Sequence, residues 1–168
     1  NIQFSAEGET KMSMQTSKEI RSTVTSNGTV EVSIVNAAMP VPSENEVLIK
    51  VEAAPINPSD LALLISFAAD LDSIEFSGED EASKTTIKIR PGLMAALKGR
   101  VDQPLSAGNE GAGIVVGAGE KATALIGKTV GVAGGSMYSQ YRCAPASSCL
   151  VMDAVSYTHL TLPTKRIV

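Results

Sequence analysis

Alternation of apolar and polar residues with a period of two runs through much of this chain. In Thr29–Val35, Val30, Val32 and Ile34 alternate with Glu31 and Ser33. That is the period of a half-buried strand, and the preceding Asn27-Gly28 pair is a turn signal. In Glu46–Ala54, Val47, Ile49 and Val51 fall on one face, Lys50 and Glu52 on the other. The Pro-rich stretch "AMPVPSENE" connects these two strands. Further short apolar runs predict strands over Ala112–Val116, Thr129–Ala133, Met137–Ala144 and Cys149–Met152. Gly117, Gly119, Gly127, Gly131, Gly134 and Gly135 punctuate them. Many short strands with frequent glycine turns predict a mainly β chain, a small barrel or sandwich. There is no internal repeat.

Two stretches read as short helices. In "PINPSDLALLIS", Asn57 suits the N-cap, Pro58 the first helical position and Asp60 the first turn, where the helix dipole favours an acid. These signals predict a helix over about Pro58–Ile65. "KIRPGLMAALKGR" predicts a second, begun near Pro91 and stopped by Gly99. Between them, residues 67–86 are acidic, with "SGEDEAS" the least patterned part. They are expected to form a solvated insertion or loop, or alternatively an acidic binding patch.

The glycine-rich run Ser106–Glu120 invites a phosphate-binding reading and fails it. Gly108, Gly111, Gly113, Gly117 and Gly119 do not give the G-x-G-x-x-G spacing. After Gly113 the chain continues with strand-like "IVV" instead of a helix, and no acid closes a second strand about twenty residues on. Gly127-Lys128-Thr129 is only a fragment of a phosphate loop, since residue 122 is Ala. The run is expected to be a strand whose glycines permit close backbone packing.

Composition narrows the function classes. The chain has 168 residues, enough for one domain with a core. A net charge of −4 and the absence of any basic block argue against nucleic acid or an anionic membrane as partner. No apolar run reaches the length of a membrane span. Cys143 and Cys149, without a visible export signal, are expected to be reduced thiols in a cytoplasmic protein.

Both ends differ from the body. Residues 1–19 are expected to be a disordered leader or untranslated read-through; residues 1–11, with "AEGETKM", have no packing pattern and read either as an untranslated leader read in frame or as a polar disordered arm. "VSYTHLTLPTKRIV", Val155–Val168, resembles the read-through of a transposase adapter and is set aside as non-native. The only histidine, His159, lies in it. Residues 12–154 therefore offer no Ser-His or Cys-His nucleophile pair and no histidine metal ligand. The protein is expected to continue past Ala154, with residues 20–154 forming one domain.

Three motifs in order, "EVLIKVEAAPINPSD", "AGNEGAGIVVGAGE" and "LIGKTVGVAGGSMYSQYRCAPASSCLVM", resemble the N-terminal domain of medium-chain dehydrogenase/reductases. That family includes zinc alcohol dehydrogenases, quinone oxidoreductases and enoyl thioester reductases. The resemblance spans roughly Arg21–Met152, with the acidic insertion poorly matched. It implies a GroES-like, partly open β-barrel, followed in the family by a Rossmann domain that carries NAD(P)H and is missing from this chain. Zinc members carry Cys where this chain has Asn57 and His where it has Asn109; the four-cysteine structural zinc lobe is absent too. Amides are poor zinc ligands beside thiolate and imidazole, so the resemblance points to the zinc-independent branch.

By the same resemblance, Asn57 is the candidate for polar contact with nicotinamide or substrate, and Ser59 aligns with the family's proton-relay hydroxyl. Asp60, Asn109 and Glu110 are expected to orient the site. Simple helix capping is the other role open to Asn57 and Asp60, and the two roles can coexist. Enoyl thioester reductases place a Tyr after the "NPSD" helix; here Phe67 and Phe76 stand in that region. Tyr138 and Tyr141 are expected to be packing residues. The implied parent is a homodimeric NAD(P)H-dependent reductase of quinones or α,β-unsaturated carbonyls. The fragment itself is expected to be inactive and to bind neither NADPH nor NADH tightly. The alternative is a standalone GroES-like binding module without chemistry.

Overall fold

The computed structural model describes residues 16–152. The leader segment 1–11 and the tail 155–168 with His159 lie outside these residues. The first strand, β1 (Thr16–Val24), pairs antiparallel with β2 (Thr29–Ala38) across the turn at Asn27-Gly28, where Gly28 has φ +80. After the Pro-rich link come β3 (Glu46–Ala53) and α1 (Pro58–Leu64), the one α-helix among the described residues. Then come β4 (Glu75–Ser77), β5 (Lys84–Lys88), β6 (Leu105–Ser106) and β7 (Glu110–Ala118). The last three are β8 (Thr129–Ala133), β9 (Tyr141–Pro145) and β10 (Cys149–Met152).

These strands form two five-stranded sheets, ordered β4-β5-β2-β1-β6 and β10-β8-β7-β3-β9, with antiparallel neighbours throughout. The second sheet must curl. Its edge strands β9 and β10 are joined by only a three-residue 3-10 turn, Ala146–Ser148. A flat sheet of five strands would be about 19 Å from edge to edge. A link from Pro145 to Cys149 reaches about 14 Å at most. The sheet therefore wraps into a partly open barrel around Val47, Ile49, Val115, Val130, Val132, Met137 and Ala144. A smaller core of Val24, Val30, Ile89 and Leu97 lies under the first sheet. The sheets meet along one seam, where Ile20 N donates to Tyr138 O at 2.8 Å and Gln140 N to Lys18 O at 2.9 Å.

Four expectations need correction. Thr16–Glu19, expected to carry no structure, begin β1, whose buried positions include two serines beside Val24: Ser17 is 3% and Ser22 0% exposed. The Ser17 hydroxyl accepts from Tyr141 N at 3.2 Å and the Ser22 hydroxyl donates to Leu63 O at 3.1 Å, so burial costs them no unpaired group. Residues 67–86 are not a loop throughout: they contain the exposed β4 and the start of β5, which adds to β2 with Ile87 opposite Val30. The helix expected from Pro91 is instead a pair of 3-10 turns, Leu93–Ala95 and Lys98–Arg100. Gly92 at φ +83 starts the first of them from a left-handed residue, and Leu97 between them plugs the smaller core. Finally, β9 begins at Tyr141; Met137–Gln140 are irregular and come after Ser136, a non-glycine at φ +59.

The glycine-rich run behaves as a closely packed strand. A Cβ on Gly113 would run into the Lys50 carbonyl oxygen of β3, and one on Gly111 would sit 2.8 Å from the Ala53 carbonyl oxygen. Backbone cannot move aside as a side chain can. Gly113→Ala should lower the unfolding free energy by about 1–3 kcal/mol or more. Gly127→Ala also acts at a positive φ, +79, but meets nothing within 4 Å and should cost less. Urea denaturation of the two variants checks the order.

Candidate functional site

The chain leaves β3 at Ala53 and enters α1 at Pro58. Asn57 is the N-cap, with extended backbone at φ −92 and ψ 155, and Pro58 has no N–H to leave unpaired. Asp60 in the first turn receives the Asn57 backbone N–H on Oδ2 at 2.8 Å. It receives the Asn109 backbone N–H on Oδ1, also at 2.8 Å, from 49 residues away. Asp60 is only 2% exposed. Its carboxylate thus joins the start of α1 to the segment that leads into β7.

The side chains around it form a small hydrogen-bonded set. Asn57 Nδ2 donates to Glu110 Oε1 at 2.7 Å. Asn109 Nδ2 donates to Ser59 Oγ at 2.9 Å. All five site residues expected from the sequence, Asn57, Ser59, Asp60, Asn109 and Glu110, are therefore brought together. The Asn109 carbonyl oxygen also accepts from Gly134 N at 2.9 Å and Gly135 N at 3.0 Å, which ties in the glycine turn after β8.

Tyr138, a packing residue on the sequence reading, is more than that. Its hydroxyl donates to Pro55 O at 3.0 Å and faces the Asp60 carboxylate. No local sequence signal marks this role: Gly108, at φ +91, makes room for the ring, and a Cβ there would lie 2.7 Å from Tyr138 Cδ1. Phe67, by contrast, turns to the smaller core, where the Arg100 guanidinium lies 5.2 Å from its ring centroid. Phe76 is 80% exposed on β4.

Ionisation reflects this geometry. Burial works to raise the Asp60 pKa, but hydrogen bonds from Asn57, Tyr138 and Asn109 outweigh it and hold the carboxyl below its ordinary value. Burial first, then the hydrogen bond and charge of Asp60, pushes the Tyr138 phenol up. Cys143 and Cys149 are free and lie on opposite edge strands of the curled sheet. Burial raises both thiols, which makes them poor nucleophiles at neutral pH.

The cluster sits on an open face. Two hollows, of about 320 and 270 Å³, are lined by other residues, though Tyr138 reaches the second. Beside Asn57, Ile56 is 77% exposed. Among the described residues no three His, Cys, Asp or Glu side chains gather as a metal site, and no helix is long and apolar enough to cross a membrane.

A family model for the alcohol dehydrogenase GroES-like domain matches residues 43–154. Among solved structures, the chain is similar to the quinone oxidoreductase from Coxiella burnetii, with 19% identity and a TM-score of 0.53, covering 83% of this chain and 38% of that one. It is similar to a mycobacterial protein solved in complex with NADPH, with 20% identity and a TM-score of 0.51, covering 82% and 33%. The JamJ enoyl reductase in its apo form gives 18% identity and a TM-score of 0.51, covering 82% and 35%. At these identities the likeness establishes a shared fold, and the chain spans well under half the length of each. No curated protein matches the sequence.

Because the folded Asp60 carboxyl is held below its ordinary value, its stabilisation is complete above about pH 4 and lost as pH falls through the folded value. Asp60→Asn keeps one acceptor oxygen and puts an NH2 against a backbone N–H. Its melting temperature at pH 7 should fall by several degrees, and the acid-side slope of melting temperature against pH should flatten. Calorimetric scans between pH 3 and 7, at values set by the ordinary carboxylate range, read both effects.

Proposed function

The chain belongs to the alcohol dehydrogenase GroES-like domain family, and from that premise we propose that it is the substrate-side domain of a zinc-independent, NAD(P)H-dependent oxidoreductase. The substrates proposed are quinones or α,β-unsaturated carbonyls. A nucleotide-binding domain in a longer parent would hold the nicotinamide. The solved relatives that include a quinone oxidoreductase, an enoyl reductase and an NADPH complex support this reading.

The observation that carries it is the donor pattern around Asp60. Ser59 Oγ accepts from Asn109 Nδ2, which leaves the Ser59 O–H free to donate and polarises it. Asn57 Nδ2 commits one N–H to Glu110 and keeps a second. Two preoriented donors on an open face suit a developing oxyanion, such as the enolate or hydroquinone oxygen formed on reduction. Bound nicotinamide would supply the hydride. Asp60, held ionised and buried, keeps both donor-bearing segments in place without taking part.

The same pattern does not fit zinc. Positions 57 and 109 present amides whose nitrogens point to Glu110 and Ser59 as donors. The remaining amide oxygens are weak ligands for this ion.

Three measurements test the reading. This chain alone should oxidise no NADPH with a quinone or enone; measurable turnover contradicts the fragment expectation. Extended through a nucleotide-binding domain, it should turn over, and Asn57→Ala should then lower kcat/KM by about 100-fold. Turnover that ignores this substitution removes Asn57 from the machinery, and an extended protein with no reductase activity favours a binding module. Elemental analysis should find zinc well below one equivalent.

A further inference from the structure

The segment between β3 and α1 is the least supported part of the candidate site. Ala54 packs against the main core, but Pro55 is exposed and Ile56 is 77% exposed, so burial does little for the part next to Asn57. It is held by hydrogen bonds at each end: the Asn57 N–H on Asp60 Oδ2 at 2.8 Å and the Pro55 carbonyl on the Tyr138 hydroxyl at 3.0 Å.

Tyr138 is itself unusually fixed. Its N–H donates to Ala107 O at 3.0 Å and its carbonyl accepts from Ile20 N at 2.8 Å. Met137 N donates to Gly108 O at 3.0 Å, and the Tyr138 ring lies over Gly108, where a Cβ would come within 2.7 Å of Cδ1 and 2.9 Å of Cγ. The ring therefore rests on the residue just before Asn109, and its hydroxyl reaches the residue two before Asn57. These are the two segments that Asp60 also joins. The one phenolic proton is donated to the Pro55 carbonyl at 3.0 Å and shared with the Asp60 carboxylate beside it, which it stabilises.

We infer that Tyr138 is a positioning residue: its hydroxyl fixes the Pro55–Asn57 segment against the Gly108–Asn109 segment, and so sets where the Asn57 amide points. The functional meaning rests on the proposed role of Asn57, but the geometric claim does not. Burial and the Asp60 charge push the phenol up, so the hydroxyl keeps its proton and remains a donor at neutral pH. Tyr138 touches no reacting atom in this scheme; it acts through Asn57.

The test is a pH titration of the isotopically labelled chain monitored by NMR. In the unmodified chain, the 13C signal of Tyr138 Cζ and the 15N signal of the Asn57 side-chain amide should move with the same midpoint as the Asp60 carboxyl. In Tyr138→Phe, backbone dispersion should persist and the Asp60 midpoint should rise. Solvent exchange of the Asn57 side-chain amide should quicken by roughly fivefold to tenfold, as loss of one hydrogen bond implies. Ser139→Ala removes a bond to Ser136 O in the same loop and should change none of these. The inference is overturned if Tyr138→Phe leaves the Asp60 midpoint and Asn57 exchange unmoved, or if Ser139→Ala moves them equally. Should the Phe variant not fold, separate midpoints in the unmodified chain overturn it and a shared midpoint upholds it. Failure of Asn57 to serve a reductase would leave all these outcomes unchanged, so the two readings fail separately.

Discussion

One buried carboxylate organises the candidate site. Asp60 takes a backbone N–H from Asn57 on one oxygen and from Asn109 on the other, so two distant stretches of chain are held at one point. An ionised carboxylate at 2% exposure is tolerable only because it is so bonded. With it in place, Ser59 and Asn109 meet, Asn57 and Glu110 meet, and the open face acquires two aimed donors. Capping of α1 and the tie to Asn109 are therefore made by the same carboxylate. The helix start holds the carboxylate in place, and the same carboxylate holds Asn109.

The barrel supplies the second half of that arrangement. β7 carries Glu110 at its start and runs beside β3, which leads to Asn57. The two strands approach closely because Gly111 and Gly113 have no Cβ to meet the β3 carbonyls. A bulkier residue at either position would push the Glu110 end of β7 away from the Asn57 end of β3. The glycine-rich run thus serves packing, and through packing it serves the site. Its resemblance to a phosphate loop comes only from glycine's use wherever backbones must approach.

Strands with alternating apolar residues were legible because burial on one face leaves a period of two in the sequence. β2, β3 and β8 show it directly. β1 was not legible, since its inward positions include Ser17 and Ser22, whose burial depends on partners at Tyr141 and Leu63 far along the chain. β5 had a signal, the alternation of Thr85 and Ile87 continued by Ile89 just beyond it, which the acidic stretch before it obscured. The short turns around Leu97 match the helical pattern of apolar residues, yet Gly92 and the demand of a small core for one plug residue broke them into 3-10 pieces. For the site, the family resemblance of the "INPSD" and "GNEG" motifs pointed to the five polar residues. It could not show Tyr138, because its role comes from a ring resting on Gly108 and a hydroxyl reaching Pro55, 83 residues away.

By itself the sequence determined the mainly β class, the N-cap and first turn of α1, the amides at 57 and 109, and the tight packing of Ser106–Glu120. Each is written in residue type and local spacing: an alternation, a capping residue, a side chain without a thiol or imidazole, a missing Cβ. Only the tertiary structure decided which N–H groups Asp60 would accept, which donors stay free on Ser59 and Asn57, and what pins the segment before α1. Those depend on contacts across dozens of residues, and hydrogen bonds are directional over tenths of an ångström. No local pattern encodes such a distance; the closing of the barrel sets it.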